Sequence, residues 1–398
     1  MTQRISTAGF HNRSIAELMA RQSQLSRTQT QIASGKRVQT PADDPIAATR
    51  IVDLQRSNSQ LEQYGRNAIA LRNRLGTTEV ALTDVGSVLQ RVRELAVQAN
   101  SSALDHSART SIAAEVRARV QELQGIANRR DATGEYLFAG FAVNTQPFSR
   151  GAAGVAYAGD QGVRSLQVAP DQRVADGLSG HDVFMNVAED NGVFATSVGV
   201  HNGAASIDNG RVVNQAAWVR DTYTLAFTAT DAWEVRNSAN ALVANGIYSS
   251  GNAIAFNGGQ VVVTGPPAVG DSFLLAPAGR ESIFATLDQF VTTLETAVDD
   301  PSGRANLGTG LNAALAQIDQ GLTRVLNLRA EIGARISTTE SAEDSHSALE
   351  VELKSSLSEL QDLDYAEAIG RMNQQLTGLQ AAQAAYTRIS QLSLFDYL

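Results

Sequence analysis

Five histidines, an adjacent pair of aspartates at 43 and 44 and no cysteine are where a search of this 398-residue chain for chemistry begins. His11, His106, His181, His201 and His346 stand far apart. No two share the i, i+3 or i, i+4 spacing that lets a helix grip a metal with both imidazoles. The absence of cysteine excludes thiolate nucleophiles, disulfides and thiolate metal sites. Ser34-Gly35-Lys36 lacks the upstream glycine of a phosphate loop, Gly151, Gly154 and Gly159 do not make a dinucleotide fingerprint, and there is no Gly-x-Ser-x-Gly. Asp43 and Asp44 could form an acid pair, but Asp44 precedes Pro45, and an aspartate followed by proline is a helix start. Asp171, Asp176, Asp182, Glu189 and Asp190 could supply the two carboxylates of a glycoside hydrolase module, yet no spacing among them selects a pair. Tyr136, Phe138, Phe141 and Phe148 read as packing at a domain junction rather than a ligand cage. The expectation is a chain that is not an enzyme and needs no cofactor or metal.

The elements that could carry another kind of function are long helices. Ile15, Leu18, Leu25 and Ile32 mark a first helix over about 8–34, with Gln22 and Gln29 in the alternate positions of its seam. A half-polar seam buries little, so this helix requires a partner. Gly35 suits the position just past its end. From Pro45 a second helix carries Tyr64, Ala68, Leu71, Leu75, Thr78, Leu82, Val85, Leu89, Val92, Ala96 and Ala99, stepping by alternate fours and threes. Gly76 and Gly86 each weaken it by roughly 1 kcal/mol, and a bend or break near Gly76 is expected. A third helix carries Ile112, Val116, Val120, Leu123 and Ala127 and ends near Asn128. Helix returns at Ser282. Leu311, Leu315, Ile318, Leu322, Val325, Ile332 and Ile336 mark one long element. Ile369, Met372, Leu376, Leu379, Gln383 and Tyr386 mark the last, continued by Ile389 and Leu392.

Between these ends the texture changes to strand. Tyr223, Leu225 and Phe227 alternate with threonine and alanine, and short apolar runs at 233–235, 254–256, 261–263 and 273–275 lie between glycine-rich turns. The fold class is therefore mainly α with an inserted antiparallel β module, a sandwich or small barrel. Residues 1–140 carry 18 Lys/Arg against 13 Asp/Glu, and residues 281–398 carry 7 against 17. Oppositely charged ends suit helices that lie together. The net charge of −9 argues against nucleic acid as a partner. No stretch approaches the ~18 apolar residues of a membrane span, and MTQRISTAGF has no apolar core of a Sec signal.

Several segments resemble one family. IASGKRVQTPADDPIAATR (32–50) and LQRVRELAVQANSSALD (89–105) are similar to the N-terminal signatures of bacterial flagellins and their hook-associated relatives. GEYLFAGF (134–141), GPPAVGDSFLLAP (265–277) and RISQLSLFDYL (388–398) look like the hook-associated branch. Filament flagellin, the alternative, usually ends in a Leu-Leu-Arg-like tail. The resemblance implies terminal coiled-coil helices at 1–44 and 366–398, a helical rod from 45–145 and 281–365, and an outer β domain at 146–280. It implies a structural subunit of the junction between hook and filament, extracellular on the flagellum and exported by the type III route without a cleaved signal. Implied partners are the hook-side junction protein (hook-associated protein 1), flagellin, further copies in a ring and an export chaperone. Subunit packing would fall to Ile15, Leu18, Leu25, Ile32, Ile369, Met372, Leu376, Leu379 and Tyr386, with Arg91 and Leu95, which match the positions where a host innate receptor contacts flagellin. Arg91 is expected to pair with a carboxylate on a neighbouring copy.

Overall fold

A computed structural model describes residues 7–101, 104–152 and 154–391. It divides into two units, residues 67–342 and a second made from 1–66 with 343–398. Six α-helices, fifteen strands and one π-helical turn make up the described elements.

In the unit formed by the two ends, α1 (Thr7–Ser34) lies beside α6 (Tyr365–Gln391). The first part of α2 (Pro45–Ala99) and the last part of α5 (Pro301–Gln361) belong to the same unit. Asp44 caps α2 by accepting from the Ala47 N–H at 3.0 Å, with Pro45 as the first helical residue. Its neighbour Asp43 closes the preceding turn by accepting from the Thr40 N–H and hydroxyl, both at 2.9 Å. Those donors hold its carboxyl below the usual range. The acid pair is thus a cap and a turn. Gly35 adopts φ +71 after α1, as the end of the helical period requires. The two chain reversals clasp each other: the Arg37 N–H donates to Gln361 O at 2.7 Å, and the Leu363 N–H donates to Gly35 O at 3.0 Å. The Arg37 guanidinium adds a bond to Leu360 O at 2.9 Å. Val38, Ala47 and Ile51 pack beneath this clasp with Leu360.

The 67–342 unit has two cores. The first joins α2, α3 (His106–Ala127), α4 (Ile283–Thr296) and α5 through Leu71, Leu75, Leu82, Leu89, Val116, Leu123, Leu287, Leu311, Ile318 and Val325. The heptad seam of α2 is buried along its length from Ala68 to Ala99. The expected break at Gly76 does not occur. Leu75 and Leu82 bury on either side of it, and burial of each is worth more than the helix penalty of one glycine. Asp105 caps α3 and Ser282 caps α4.

The first core also takes in part of the inserted stretch. The hairpins β1 (Phe148–Gly151)/β2 (Gly154–Tyr157) and β3 (Ser165–Ala169)/β4 (Gln172–Ala175) contribute Phe148, Val168 and Val174. A π-helical turn, His181–Met185, contributes Phe184. Phe184 meets Phe138 edge-on at 5.4 Å between ring centroids, Phe148 at 5.2 Å and Phe284 at 5.7 Å. Phe138, Phe148 and Tyr136 are buried as a packing cluster should be, whereas Phe141 is 60% exposed.

The second core is a two-sheet sandwich. Short strands β5 (Val187–Ala188), β7 (Ser206–Ile207), β8 (Arg211–Val212) and β15 (Arg280–Glu281) flank the longer ones. β6 (Phe194–Val198), β9 (Tyr223–Ala229), β10 (Ala232–Arg236), β11 (Leu242–Ile247) and β14 (Ser272–Pro277) form a five-stranded antiparallel sheet in the order β11-β10-β9-β14-β6. β12 (Ala253–Phe256) and β13 (Gly259–Thr264) pair with β7 and β8. Phe194, Tyr223, Leu225, Phe227, Ile254, Phe256, Val261, Val263, Phe273 and Leu275 fill the space between. Their alternation is the period-two pattern of the sequence.

Asp190, at φ 50, fastens the start of β6. Its Oδ2 accepts from the Thr196 N–H at 2.7 Å and its Oδ1 from the Asn209 amide at 2.5 Å. Burial outweighs these donors and pushes its carboxyl up to about 6. The folded chain therefore holds this proton more tightly than the unfolded chain, whose aspartate titrates near pH ~4. The stability so contributed is complete below about pH 4 and is lost as pH rises to about 6, on the order of 3 kcal/mol. Urea unfolding between these pH values should show the decline in the parent chain and a flatter profile in Asp190→Asn. Parallel profiles would contradict the assignment.

Candidate functional site

The candidate site is the pair of terminal helices. On α1, Leu25 and Thr28 are buried, and Ser14, Ile15, Leu18, Arg21, Gln31 and Ile32 are half-buried. Gln22 and Gln29 point to solvent. The seam is therefore rotated from the expected one: it runs through Arg21 and Thr28, and the Thr28 hydroxyl satisfies itself on Gln24 O at 3.1 Å. On α6, Ala368 is buried, and Met372, Gln375, Leu376, Leu379, Ala382 and Tyr386 are half-buried. Ile369, expected in the seam, is 45% exposed, because at 100° per residue Ala368 takes the inward position. Gln383 is exposed and Ala382 replaces it. The side chain of Ile389 and all of Leu392, with the terminal LSLFDYL, lie outside the described residues.

The helices are tied by polar contacts that sequence spacing does not reveal. Tyr386 Oη lies 2.6 Å from His11 Nε2, with the rings 5.0 Å apart. Gly378 lets the Arg21 guanidinium come close to the α6 backbone. Among the described side chains of α1 and α6, Leu25, Thr28 and Ala368 are buried. The other seam side chains keep part of their surface open, as a seam awaiting more helices must.

Arg91 and Leu95 are placed otherwise than expected. Arg91 pairs inside its own chain, with Glu94 one turn on and with Glu115 of α3, each at 2.9 Å. Glu94 first, then Glu115, raises its pKa. Within one chain its carboxylate partners are thus on α2 and α3. Leu95 is 1% exposed and belongs to the first core, so it presents nothing to another copy.

The inserted carboxylates serve structure. Asp176 sits between Arg164 and Arg74, Asp182 accepts from Ser179, and Glu189 accepts from the Gly279 N–H. A groove of about 560 Å³ beside β6, α4 and α5 is lined by Thr286, Phe290, Thr309 and Gln317. Its one carboxylate, Glu281, is held by Gln317 at 2.6 Å. Among the described residues no group of three or more His, Asp or Glu is placed to hold a metal ion.

The flagellin N-terminal helical region matches residues 5–142 and the flagellin C-terminal helical region matches residues 315–398. A crystal structure of FlgL from Xanthomonas campestris is 34% identical, with a TM-score of 0.73, over 77% of this chain and 99% of that one. The chain belongs to the flagellar hook-associated protein 3 family. The hook-associated protein 3 structure from Legionella pneumophila is 31% identical, at a TM-score of 0.75, over 78% of this chain and 98% of that one. Flagellar hook-associated protein 3 of Escherichia coli K12 is 23% identical over 99% of both chains. The match to flagellin of Listeria monocytogenes spans 26% of this chain and that to phase 1 flagellin of Salmonella naestved 34%. The family frame accounts for mainly helical ends around a β module.

Proposed function

We propose that this chain is a structural subunit of the hook–filament junction of the bacterial flagellum, seating the first flagellins and working by assembly rather than catalysis. Its correspondence along nearly the whole chain to relatives named hook-associated protein 3 carries this reading. The half-open α1–α6 seam supports it, since a subunit that assembles by its ends needs apolar surface left to share. On this reading residues 1–44 and 366–398 form the terminal coiled coil, 45–145 with 281–365 the rod, and 146–280 the outward part. The partners are hook-associated protein 1, flagellin and further copies in a ring. The chain leaves the cell through the flagellar type III apparatus, escorted by a chaperone.

In the parent bacterium, deletion of the gene should leave hooks without filaments and flagellin free in the medium. Complementation with the intact chain should restore filaments. Leu376→Ala combined with Leu379→Ala should not restore them. The purified double variant should keep its melting temperature nearly unchanged, because both side chains are only half-buried within one chain. Filaments retained on the deletion strain would overturn the junction reading. A large loss of monomer stability would make these leucines core residues of the single chain.

A further inference from the structure

A groove of about 400 Å³ opens on the β part of the 67–342 unit, where the loop before β9 meets the start of β6 and the end of β14. Trp218, Arg220 and Arg280 line it, with Gly192, Val193, Ala278 and Gly279. Both arginines are exposed, and neither makes an ion pair or a side-chain hydrogen bond among the described residues. Acid is not scarce, since residues 141–280 carry 7 Lys/Arg against 11 Asp/Glu. Arg150, Arg164 and Arg236 of the same stretch all have carboxylate partners. The carboxylates of Glu189, Asp221 and Glu281 are turned to other donors: the Gly279 N–H at 2.9 Å, the Thr222 N–H at 2.8 Å and the Gln317 amide at 2.6 Å. The indole N–H of Trp218 also has no acceptor among the described residues, whereas that of Trp233 donates to Ile247 O at 3.2 Å.

These unengaged donors sit on a fixed frame. The Trp218 ring stacks on the buried ring of Phe194, 5.2 Å between centroids, and the Tyr223 hydroxyl donates to Val219 O at 2.7 Å. Binding there would order little that is not ordered already. The main chain of the groove is spoken for. The Gly192 N–H donates to Glu189 O at 2.8 Å, the Val193 N–H to Asn191 Oδ1 at 2.9 Å and the Ala278 N–H to Val193 O at 3.0 Å. A peptide added as a strand needs free main-chain groups, so the groove does not suit one. What remains is two planar guanidinium forks, matched to a carboxylate, beside an aromatic ring with an apolar body and one N–H. A sugar acid presents both complements, a carboxylate and a flat C–H face. The volume falls within the roughly 300–1,000 Å³ of small-ligand sites.

We propose that this groove binds acidic sugars, with Arg220 and Arg280 on the carboxylate of a hexuronate unit and Trp218 against its ring. None of these residues enters the junction reading, so either can fail alone.

Trp233→Phe leaves Trp218 as the one tryptophan of the full-length chain, so its emission reports on the groove. Galacturonate trimer should change that emission saturably. Maltotriose, of the same length but without charge, should not. Hexaglutamate and inorganic phosphate, which bring charge without the ring, should bind about tenfold more weakly or worse. Arg220→Gln with Arg280→Gln should weaken the trimer by about tenfold or more, with far-UV dichroism unchanged because both side chains are exposed. Lysine at both positions keeps the charge but not the forks and should recover only part of the affinity. The absence of a saturable change with the trimer overturns the proposal, and so does a glutamine double variant that binds it as the parent does. Hexaglutamate binding as tightly as the trimer would make the groove an acidic-peptide site, and phosphate doing so would make it a simple anion site. Either result overturns the sugar assignment.

Discussion

Phe184→Ala is expected to lower the unfolding free energy by roughly 3–5 kcal/mol, the range for removing a fully enclosed aromatic ring. Phe184 is 0% exposed and touches Phe138, Phe148 and Phe284, which come from three separate parts of the chain. Its removal leaves a cavity that none of them can fill without giving up contact with the others. The rings belong to the first core, so the loss should appear in urea unfolding followed by far-UV dichroism, as well as in aromatic fluorescence. Phe184→Leu, which keeps most of the volume, should recover over half of the difference. A Phe184→Ala chain within about 1 kcal/mol of the parent would mean that the cluster relaxes freely, contrary to close packing.

Arg109→Met is expected to cost about 3 kcal/mol, through lost bonds to a charged donor and carbonyls left without one. The side chain is 2% exposed, and its guanidinium donates to Asp299 at 2.9 Å, to Leu104 O at 3.1 Å and to Ala297 O at 3.2 Å. It thereby fixes the segment between α4 and α5 against the start of α3. Methionine keeps the apolar stem but strands both carbonyls. Asp299 is half open to solvent, so Asp299→Ala should cost much less. Urea titration of the two variants side by side checks the order. Equal losses would show that the ion pair, not the carbonyl anchoring, carries the effect. Arg109 also does most to hold the Asp299 carboxyl below the usual range, and that lowering should shrink in Arg109→Met.

Neither residue is legible as a key position in the sequence, for different physical reasons. Phe184 lies in a glycine-rich stretch with no period, and a five-residue π-helical turn leaves no hydrophobic repeat to read. Arg109 looks like any solvated arginine near a helix start, because its partners are backbone carbonyls brought in by folding. The seam of α2, in contrast, is readable over its whole course, since the same helix face is used from Ala68 to Ala99. The strands at Tyr223–Phe227 and Val261–Val263 were likewise legible, because their alternation is the burial itself. In the candidate site the existence of a half-filled seam could be read, but its exact facing could not. A rotation of about 100° exchanges Ile369 for Ala368, and pairing with α6 through His11 and Tyr386 decides which is used. The pairing of Arg91 with Glu115 is not legible in the sequence, because Glu115 lies on another helix and only tertiary structure makes them neighbours.

The clasp between the two chain reversals joins positions as far apart as Arg37 and Leu360, 323 residues along the sequence. Closing so long a loop from an extended chain carries a high entropic cost. Most of that cost is already met once residues 67–342 have folded, because Asn67 and Ala342 are then fixed within one compact body. Contact order therefore sets a sequence of events: the body forms first, and the end helices can register with each other only afterwards. A chain cut short at either end should still build the body, but would leave the opposite end helix without its partner.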